Sequence, residues 1–147
     1  MVYDSRILGL DFGQRRIGVA ISDLLHLTAQ PLATIDYQQE DELWRKLDEL
    51  WSSYPIALIV VGLPRNMDGS EGVVVQTIMA FAEKLKKRFQ APVVFQDERL
   101  SSVAAHRTIR EMGKRPSRHK NQVDKLAAIL ILQTYLDQQA GGLFTLG

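Results

Sequence analysis

The chain has 147 residues, of which 46% are hydrophobic and 24% are charged, a composition that fits one globular domain with its own core. It contains no cysteine, which excludes disulfide bonds and thiolate metal sites. The longest apolar run, Ile56–Val61, is far shorter than the about 20 residues of a membrane span, and the N-terminus lacks the pattern of a signal peptide. We therefore expect a cytoplasmic protein with no membrane partner.

The charge is unevenly distributed, although the net charge is only +1. The segment from Arg107 to Lys120 has six basic residues and one acidic residue, a charge of +5, so the remainder carries −4. A basic segment on an acidic body suggests a polyanionic partner. A solvated loop and helix face is the alternative interpretation.

The first half of the chain predicts three strands and a helix. Residues 6–11 alternate as a strand with Asp11 on the face of Ile7 and Gly9. Residues 17–22 alternate again after a turn, which predicts an antiparallel second strand. A third, less regular strand lies within residues 27–36, where Pro31 favours a sheet edge or a bulge. Apolar residues at helical spacing predict a helix over residues 40–53.

The second half predicts two strands, the first of them buried, and three helices. Ile56–Val61 is uniformly apolar, as expected for a strand buried on both faces. After a loop, a helix to residue 89 turns four apolar residues inward: Val74, Ile78, Phe81 and Leu85. A short strand covers residues 92–96, a helix capped by Ser101 or Ser102 ends at Gly113, and a basic loop follows. The last helix covers about 122–138. We expect one domain, residues 1–140, with a frayed tail at 141–147.

Three carboxylates follow or open these apolar segments, at Asp11, Glu98 and Asp124. Helical crossovers make the first, fourth and fifth strands parallel, and ligands of such sheets bind beyond the carboxyl ends of the strands. Converging carboxylates repel unless a cation lies between them, and oxygen ligands select Mg²⁺ or Mn²⁺. Two such ions can clamp the attacking and leaving oxygens of a phosphodiester. The joint pattern favours a metal-dependent nuclease.

Each acid also has a structural interpretation. Asp11 could close a turn with Gly13, Glu98 could pair with Arg99, and Asp124 could cap the last helix together with Asn121. Asp97 is ambiguous, because adjacent residues of a strand point to opposite faces and only one of Asp97 and Glu98 can enter the cleft.

The motifs resemble those of the YqgF family, also called RuvX, Holliday-junction-resolvase-like nucleases. The matching strings are Leu-Asp-Phe-Gly at 10–13, Ile-Gly-Val-Ala at 17–20, Val-Gly-Leu-Pro-Arg-Asn-Met-Asp-Gly at 61–69, Asp-Glu-Arg-Leu-Ser at 97–101, and Lys120 followed by Val-Asp-Lys-Leu-Ala-Ala at 123–128. They cover nearly the whole chain in order. One departure is Gln14-Arg15-Arg16, in a turn where Thr-Lys-Ser-like residues are common; the extra arginine would alter phosphate contacts.

The resemblance implies an α/β, RNase H-like fold with a five-stranded mixed sheet flanked by helices. It implies that Asp11, Glu98 and Asp124 are catalytic acids that bind metal, and that the protein matures the 5′ end of 16S ribosomal RNA. We expect two Mg²⁺ or Mn²⁺ ions, with Asp11 bridging them, and a partner that is pre-16S rRNA or the assembling small ribosomal subunit. The expected phosphate-binding residues are Arg65, Asn66, Arg99, Arg115, Arg118 and Lys120.

Three rival functions stay open. A resolvase of four-way DNA junctions would use the same chemistry as a dimer, whereas we expect a monomer or weak dimer. An actin-like phosphotransferase shares the strand and Asp-x-Gly start but needs two domains of this kind. A non-catalytic nucleic-acid-binding module would keep the cleft without cleavage.

Overall fold

A mixed five-stranded sheet forms the centre of the computed structural model, which describes residues 2–13, 15–64, 72–98 and 120–146, with side chains of the last segment described from 125 to 140. Three helices are described beside it. The strands are β1 (Arg6–Phe12), β2 (Arg16–Ser22), β3 (Ala29–Asp36), β4 (Ile56–Leu63) and β5 (Val93–Asp97), and the helices are α1 (Glu40–Ser53), α2 (Val73–Phe89) and α3 (Lys120–Leu146).

The strand order is β3-β2-β1-β4-β5. β1 pairs antiparallel with β2, β2 pairs antiparallel with β3, and β1, β4 and β5 are parallel to one another, so the predicted mixed sheet is confirmed. β3 is an edge strand. Its Pro31 lies opposite Ala20, where the register shifts, because proline cannot donate a ladder hydrogen bond.

The two faces of the sheet bury different helices. Along β1, Leu8 and Leu10 point to the face covered by α1 and α2 and belong to the larger hydrophobic cluster. Ile7 points to the opposite face, which α3 covers. Because side chains alternate along a strand, Gly9 and Asp11 share the face of Ile7, as the sequence predicted.

Helix α3 lies very close to β1 and runs antiparallel to it. A β-carbon built on Gly9 would be 2.7 Å from Cβ of Leu132, so the helix is in contact with the strand backbone. Leu136, one turn further along, packs with Ile7 in the same cluster. The N-terminal part of α3 is therefore directed toward the carboxyl end of β1, where Asp11 lies.

The side chain of Gln133 fixes α3 to the beginning of the edge strand. Its Oε1 accepts the backbone N–H of Ala29 at 2.9 Å, and its Nε2 donates to the carbonyl oxygen of Leu27 at 2.9 Å. These bonds replace the ladder partners that an edge strand lacks.

Two details of the predicted helices were wrong. Val74 is 58% exposed, and Val75, 3% exposed, packs inward in its place, because α2 begins at Val73 and its buried side follows Val75 and Ile78. The last helix continues to Leu146, past the predicted end at Gln138 and through Gly141 and Gly142. The division into a domain at 1–140 and a tail at 141–147 stays a prediction.

The predicted helix from Ser101 or Ser102 to Gly113, and the basic loop after it up to residue 119, lie outside the described residues. Among the helices of the described residues, none has the length and apolar character needed to cross a membrane.

Candidate active site

Asp11 lies in β1, one residue before the strand ends, between two positions that have no side chain. It is paired with Gly18 on β2. The β1–β4 register pairs Leu10 with Val61, and continuing it by one residue puts Gly62 on the other side of Asp11. The half-buried carboxylate is therefore not crowded by neighbouring side chains on its own face of the sheet.

The turn after Asp11 is built by backbone contacts. The N–H of Gly13 donates to the carbonyl oxygen of Arg16 at 2.8 Å, and a β-carbon on Gly13 would lie 2.6 Å from that oxygen, so only glycine fits there. The hydroxyl of Tyr37 donates to the carbonyl oxygen of Gly13 at 3.3 Å. Asp11 itself is paired with Gly18 in the sheet, so the geometry of β1, and not that of a turn, sets the direction of its side chain.

Glu98 follows β5 directly and leans over Gly62. A β-carbon built on Gly62 would be 2.8 Å from Oε1 of Glu98 and would overlap Cδ1 of Ile131 on α3. The carboxylate of Glu98 is thus on the α3 face of the sheet, above β4. Asp97 shares the face of Phe95, which packs on the α1–α2 side, so Glu98 is the acid that faces the α3 side.

Asp11 and Glu98 consequently flank Gly62 from opposite sides. Strands that are two places apart in a sheet are separated by about 9–10 Å, and Glu98 leans inward across that distance. We call the surface formed by Asp11, Gly62 and Glu98 the acidic cleft. Gly62 puts no β-carbon on the middle strand, and the end of Ile131 from α3 packs over it beside the carboxylate of Glu98.

The backbone of Asp124 lies in α3, one turn before Ala128. The carbonyl oxygen of Ala128 is 3.4 Å from a β-carbon built on Gly9, and α3 runs from there toward the carboxyl end of β1. Asp124 thus precedes, on the same helix face, the residue that contacts β1. Helix α3 begins at Lys120, so Asn121 is already inside the helix. Because a cap residue must flank the helix, Asn121 and Asp124 do not form the cap that the structural interpretation proposed.

The side chain of Asp124 lies outside the described residues, as do Arg65, Asn66, Arg99, Arg115 and Arg118; Lys120 is described only as the first backbone position of α3. Their roles stay predictions. Within the described residues no group of three or more acidic, histidine or cysteine side chains could hold a metal ion, and a complete triad would need Asp124.

The residues of the acidic cleft fit a hard divalent cation. Both described donors are carboxylates, and Gly62 between them adds no β-carbon that would displace Oε1 of Glu98. Mg²⁺ is usually bound by one or two carboxylates, keeping several water molecules and binding substrate phosphate. A cleft of two flanking carboxylates above a glycine meets this requirement.

The sequence reasoning missed the glycines and a pocket on the far side of the sheet. Gly18 and Gly62 shape the acidic cleft, and a glycine inside a strand is a signal of close approach that could have identified both. The pocket, lined by Phe12 and Tyr37 among others, depends on how α1 and α2 pack, which no local pattern reveals.

Comparisons with known proteins identify the family of the chain. Residues 5–138 match the model of the family described as RuvX, Holliday junction resolvase. Two relatives named "Putative pre-16S rRNA nuclease" are similar over most of the chain. The relative from Thermoanaerobacter pseudethanolicus is 44% identical, covering 91% of this chain and 97% of its own, and that from Enterococcus faecalis is 45% identical, covering 90% and 96%.

Solved structures share the fold. Thermus thermophilus RuvC in complex with a Holliday junction substrate has a TM-score of 0.58 at 14% identity, covering 93% of this chain and 96% of its own. The yeast mitochondrial Holliday junction resolvase Ydc2 has a TM-score of 0.55 at 12% identity, covering 95% and 81%. The predicted RNase H-like fold is confirmed.

Proposed function

The chain belongs to the RuvX family, and on that premise we propose that it is a metal-dependent endonuclease that hydrolyses phosphodiester bonds in precursor 16S rRNA. The family and the relatives named pre-16S rRNA nuclease support the reaction class and the substrate. Divalent metal dependence is the part of the proposal that rests on the acidic cleft itself.

One observation carries the proposal: the carboxylate of Glu98 leans over Gly62 toward the strand of Asp11. Carboxylates that approach each other repel, by about 4 kcal/mol for a pair about 4 Å apart at an effective dielectric of about 20. A divalent cation held between them would offset that repulsion, which supports metal-dependent hydrolysis of a phosphodiester.

The residues have distinct roles. Asp11, at the end of β1, would be a ligand of both divalent ions, and Glu98 and Asp124 would each be a ligand of one. Mg²⁺ or Mn²⁺ held there would lower the pKa of a water molecule and neutralise charge at the scissile phosphate. Gly18 and Gly62 add no β-carbon beside Asp11 on the two neighbouring strands, and Ile131 of α3 packs over Gly62.

The reaction balances as a displacement by water. A water molecule gives up one proton to solvent as its oxygen forms a bond to phosphorus, the bond from phosphorus to the leaving sugar oxygen breaks, and that oxygen takes up a proton from solvent. No side-chain nucleophile is needed, and the chain has no cysteine to serve as one.

The substrate is attracted by the basic segment. Arg115, Arg118 and Lys120 provide phosphate attraction that does not depend on sequence, and Arg65, Asn66 and Arg99 follow strands whose carboxyl ends border the cleft. The proposed partner is pre-16S rRNA or the assembling small ribosomal subunit. We expect the protein to act in the cytoplasm, where this partner is made, and to be a monomer or weak dimer.

Cleavage of labelled pre-16S RNA by the purified protein in Mn²⁺ tests the proposal, beside an Asp11→Asn variant. We expect specific cleavage by the wild type and a loss of at least about a hundredfold in the variant, because a bridging carboxylate becomes a neutral amide. Equal cleavage by both proteins would identify a contaminant. Cleavage by neither, on naked RNA and on precursor small subunits, would refute the nuclease.

The description of the family favours one second candidate, a resolvase of branched DNA. The same assay with a labelled four-way junction distinguishes them. If a twofold dimer makes paired symmetrical nicks in the junction and does not cleave RNA, the substrate is branched DNA. The proposed roles of the acids would not change.

A further inference from the structure

A second cavity opens beneath the carboxyl end of β1, on the face of the sheet opposite the acidic cleft. It has a volume of about 480 Å³, within the range of small-molecule sites, and it lies between the beginning of α1, the exposed side of α2 and the end of β1. We call it the aromatic pocket. Its principal residues are Phe12, Tyr37, Glu40, Thr77, Phe81 and Lys84.

Aromatic rings line this pocket. Phe12 and Phe81 have ring centroids 4.8 Å apart with a tilt of 40°, so each braces the other. Tyr37 also lines the pocket, with its hydroxyl bonded to the carbonyl oxygen of Gly13, so its ring borders the same space. Aromatic faces of this kind bind unpaired nucleobases, because every base has a π-face.

The rim of the pocket is charged and polar. The ammonium of Lys84 lies 2.7 Å from Oε1 of Glu40, and both side chains are more than half exposed. An ammonium has three donors and a carboxylate about four acceptor sites, so the pair keeps capacity for the edge of a base. Among the described residues Arg15 has no ion-pair partner, whereas Arg16 is paired with Asp36 at 3.7 Å.

Arg15 is exposed, and its backbone adjoins a residue of the pocket. Its carbonyl oxygen accepts the N–H of Tyr37 at 3.0 Å, so the turn that carries this cation borders the pocket. A cation on a turn beside an aromatic pocket is complementary to a nucleotide, whose phosphate is negative and whose base is flat and apolar on its faces.

The pocket and the acidic cleft are joined through two successive residues of β1. Asp11 points to the α3 face and Phe12 to the α1–α2 face. A strand of nucleic acid that passes over the end of β1 would present a phosphate to Asp11 and a nearby base to Phe12. A base inside a duplex could not turn away from its partner in this way.

We propose that the aromatic pocket binds an unpaired nucleobase of the substrate, close to the scissile phosphate, with Arg15 on its backbone phosphate. The protein would then select a substrate that is single-stranded beside the cut. This inference rests on the proposed nuclease function and adds a substrate class to it.

Binding of a short fluorescein-labelled single-stranded RNA, in Ca²⁺ so that it is not cleaved, tests the pocket. An abasic site is moved along the RNA one position at a time. We expect the Kd to rise about tenfold at one or two adjacent positions, because stacking on an aromatic ring is lost there. A uniform response along the RNA would overturn the inference.

Two substitutions at Tyr37 separate stacking from the turn. Tyr37→Leu removes the ring and should raise the Kd of intact RNA about tenfold, with no further loss from the abasic site. Tyr37→Phe keeps the ring but loses the hydrogen bond to Gly13. In this variant an abasic site should therefore still raise the Kd, which we call the abasic effect. An equal loss in both variants would assign the effect to the turn and refute the pocket.

A second pair of variants avoids the turn altogether. Ala80→Trp fills the pocket from the exposed side of α2, whereas Gln76→Trp adds the same ring one turn earlier, outside the pocket lining. Only Ala80→Trp should abolish the abasic effect. Persistence of the effect in Ala80→Trp would place the bound base elsewhere.

Failure of this inference is distinguishable from failure of the proposed function. If the wild type cleaves RNA in Mn²⁺ but binds abasic and intact RNA equally well, the nuclease proposal stands and the proposal of base binding in the pocket is refuted. A paired base cannot enter the pocket. The inference would therefore also be overturned if an abasic site raised the Kd of fully paired duplex RNA as much as that of single-stranded RNA.

Discussion

At the scale of single residues, the acidic cleft depends on Gly62, which has no side chain. Gly62 lies under the carboxylate of Glu98 and the end of Ile131, and a methyl group there would displace both. Both contacts are made by the far ends of flexible side chains, so the backbone can stay where it is. The function of this glycine is therefore to leave space, since its conformation is that of an ordinary strand residue.

Gly62→Ala should reduce cleavage much more than it reduces stability. The new methyl group moves the carboxylate of Glu98, and an error of about 1 Å in a catalytic group can cost a hundredfold in rate. The melting temperature should fall only slightly, because the displaced side-chain ends can rotate. Cleavage of pre-16S RNA and thermal unfolding, measured on the same preparation, check both parts.

Gly9→Ala is the matched control on the same face. Its β-carbon would be 2.7 Å from Cβ of Leu132, which cannot rotate away, so α3 itself must shift. We expect a loss of about 1–3 kcal/mol in the free energy of unfolding, as for an overpacked core. A Gly62→Ala variant that is as unstable as Gly9→Ala yet cleaves normally would contradict the account of the cleft.

At the scale of elements, α1 and α2 are joined by charged contacts above their shared core. The guanidinium of Arg88 donates to both oxygens of Asp48, at 2.9 and 2.7 Å, and lies 5.3 Å from the ring centre of Trp44. The hydrogen bond from Arg88 holds the pKa of the Asp48 carboxyl below its ordinary value of 3.8. The pair is exposed, so its contribution is small and depends on pH.

Asp48→Asn should lower the melting temperature by no more than about 4 °C at neutral pH. Because the pKa of Asp48 is lower in the folded state, its stabilisation is complete above the ordinary value of 3.8 and disappears as the pH falls through the folded value. The difference between wild type and variant should therefore vanish in acid. A difference that stays constant down to strongly acidic pH would mean that the side chain acts through packing instead.

Most elements followed from local patterns, and the exceptions have physical causes. Alternation predicted β1 and β2, and Pro31 predicted the edge character of β3, because both depend on a few adjacent residues. The inward position of Val74 was wrong because a run of three valines fits two helical phases, and only packing of α2 on the sheet selects Val75. The extension of α3 through Gly141 and Gly142 opposes their low helix propensity, which local reasoning could not overcome.

At the scale of the whole molecule, strand order determines which distant residues meet. Parallel crossovers predicted that Asp11 and Glu98 lie at the same end of the sheet, and the structure puts β4 with Gly62 between them. The inward lean of Glu98 could not be predicted, because it requires the β4–β5 register. The aromatic pocket was also beyond the sequence, since Phe12, Tyr37 and Phe81 come from three elements that only the assembled fold brings together.

The third predicted acid, Asp124, would join the cleft only through the placement of α3, and Asp124→Asn tests that prediction. We expect the apo protein to melt at a similar or higher temperature, because the substitution relieves repulsion among the acids. We also expect Mn²⁺ to raise the melting temperature of the wild type and to raise that of the variant much less, since ligand stabilisation depends on affinity. Cleavage of pre-16S RNA should be abolished.

Asp41→Asn is the control for charge removal, because Asp41 is exposed on α1 and lies among the acidic residues of its first turn, away from the acidic cleft. It should keep the full Mn²⁺-induced rise and full cleavage. If Asp124→Asn melts many degrees below the wild type without metal, the residue stabilises the helix. If it retains the Mn²⁺-induced rise, the ions are held by Asp11 and Glu98 alone, and α3 contributes packing on Gly9 but no ligand.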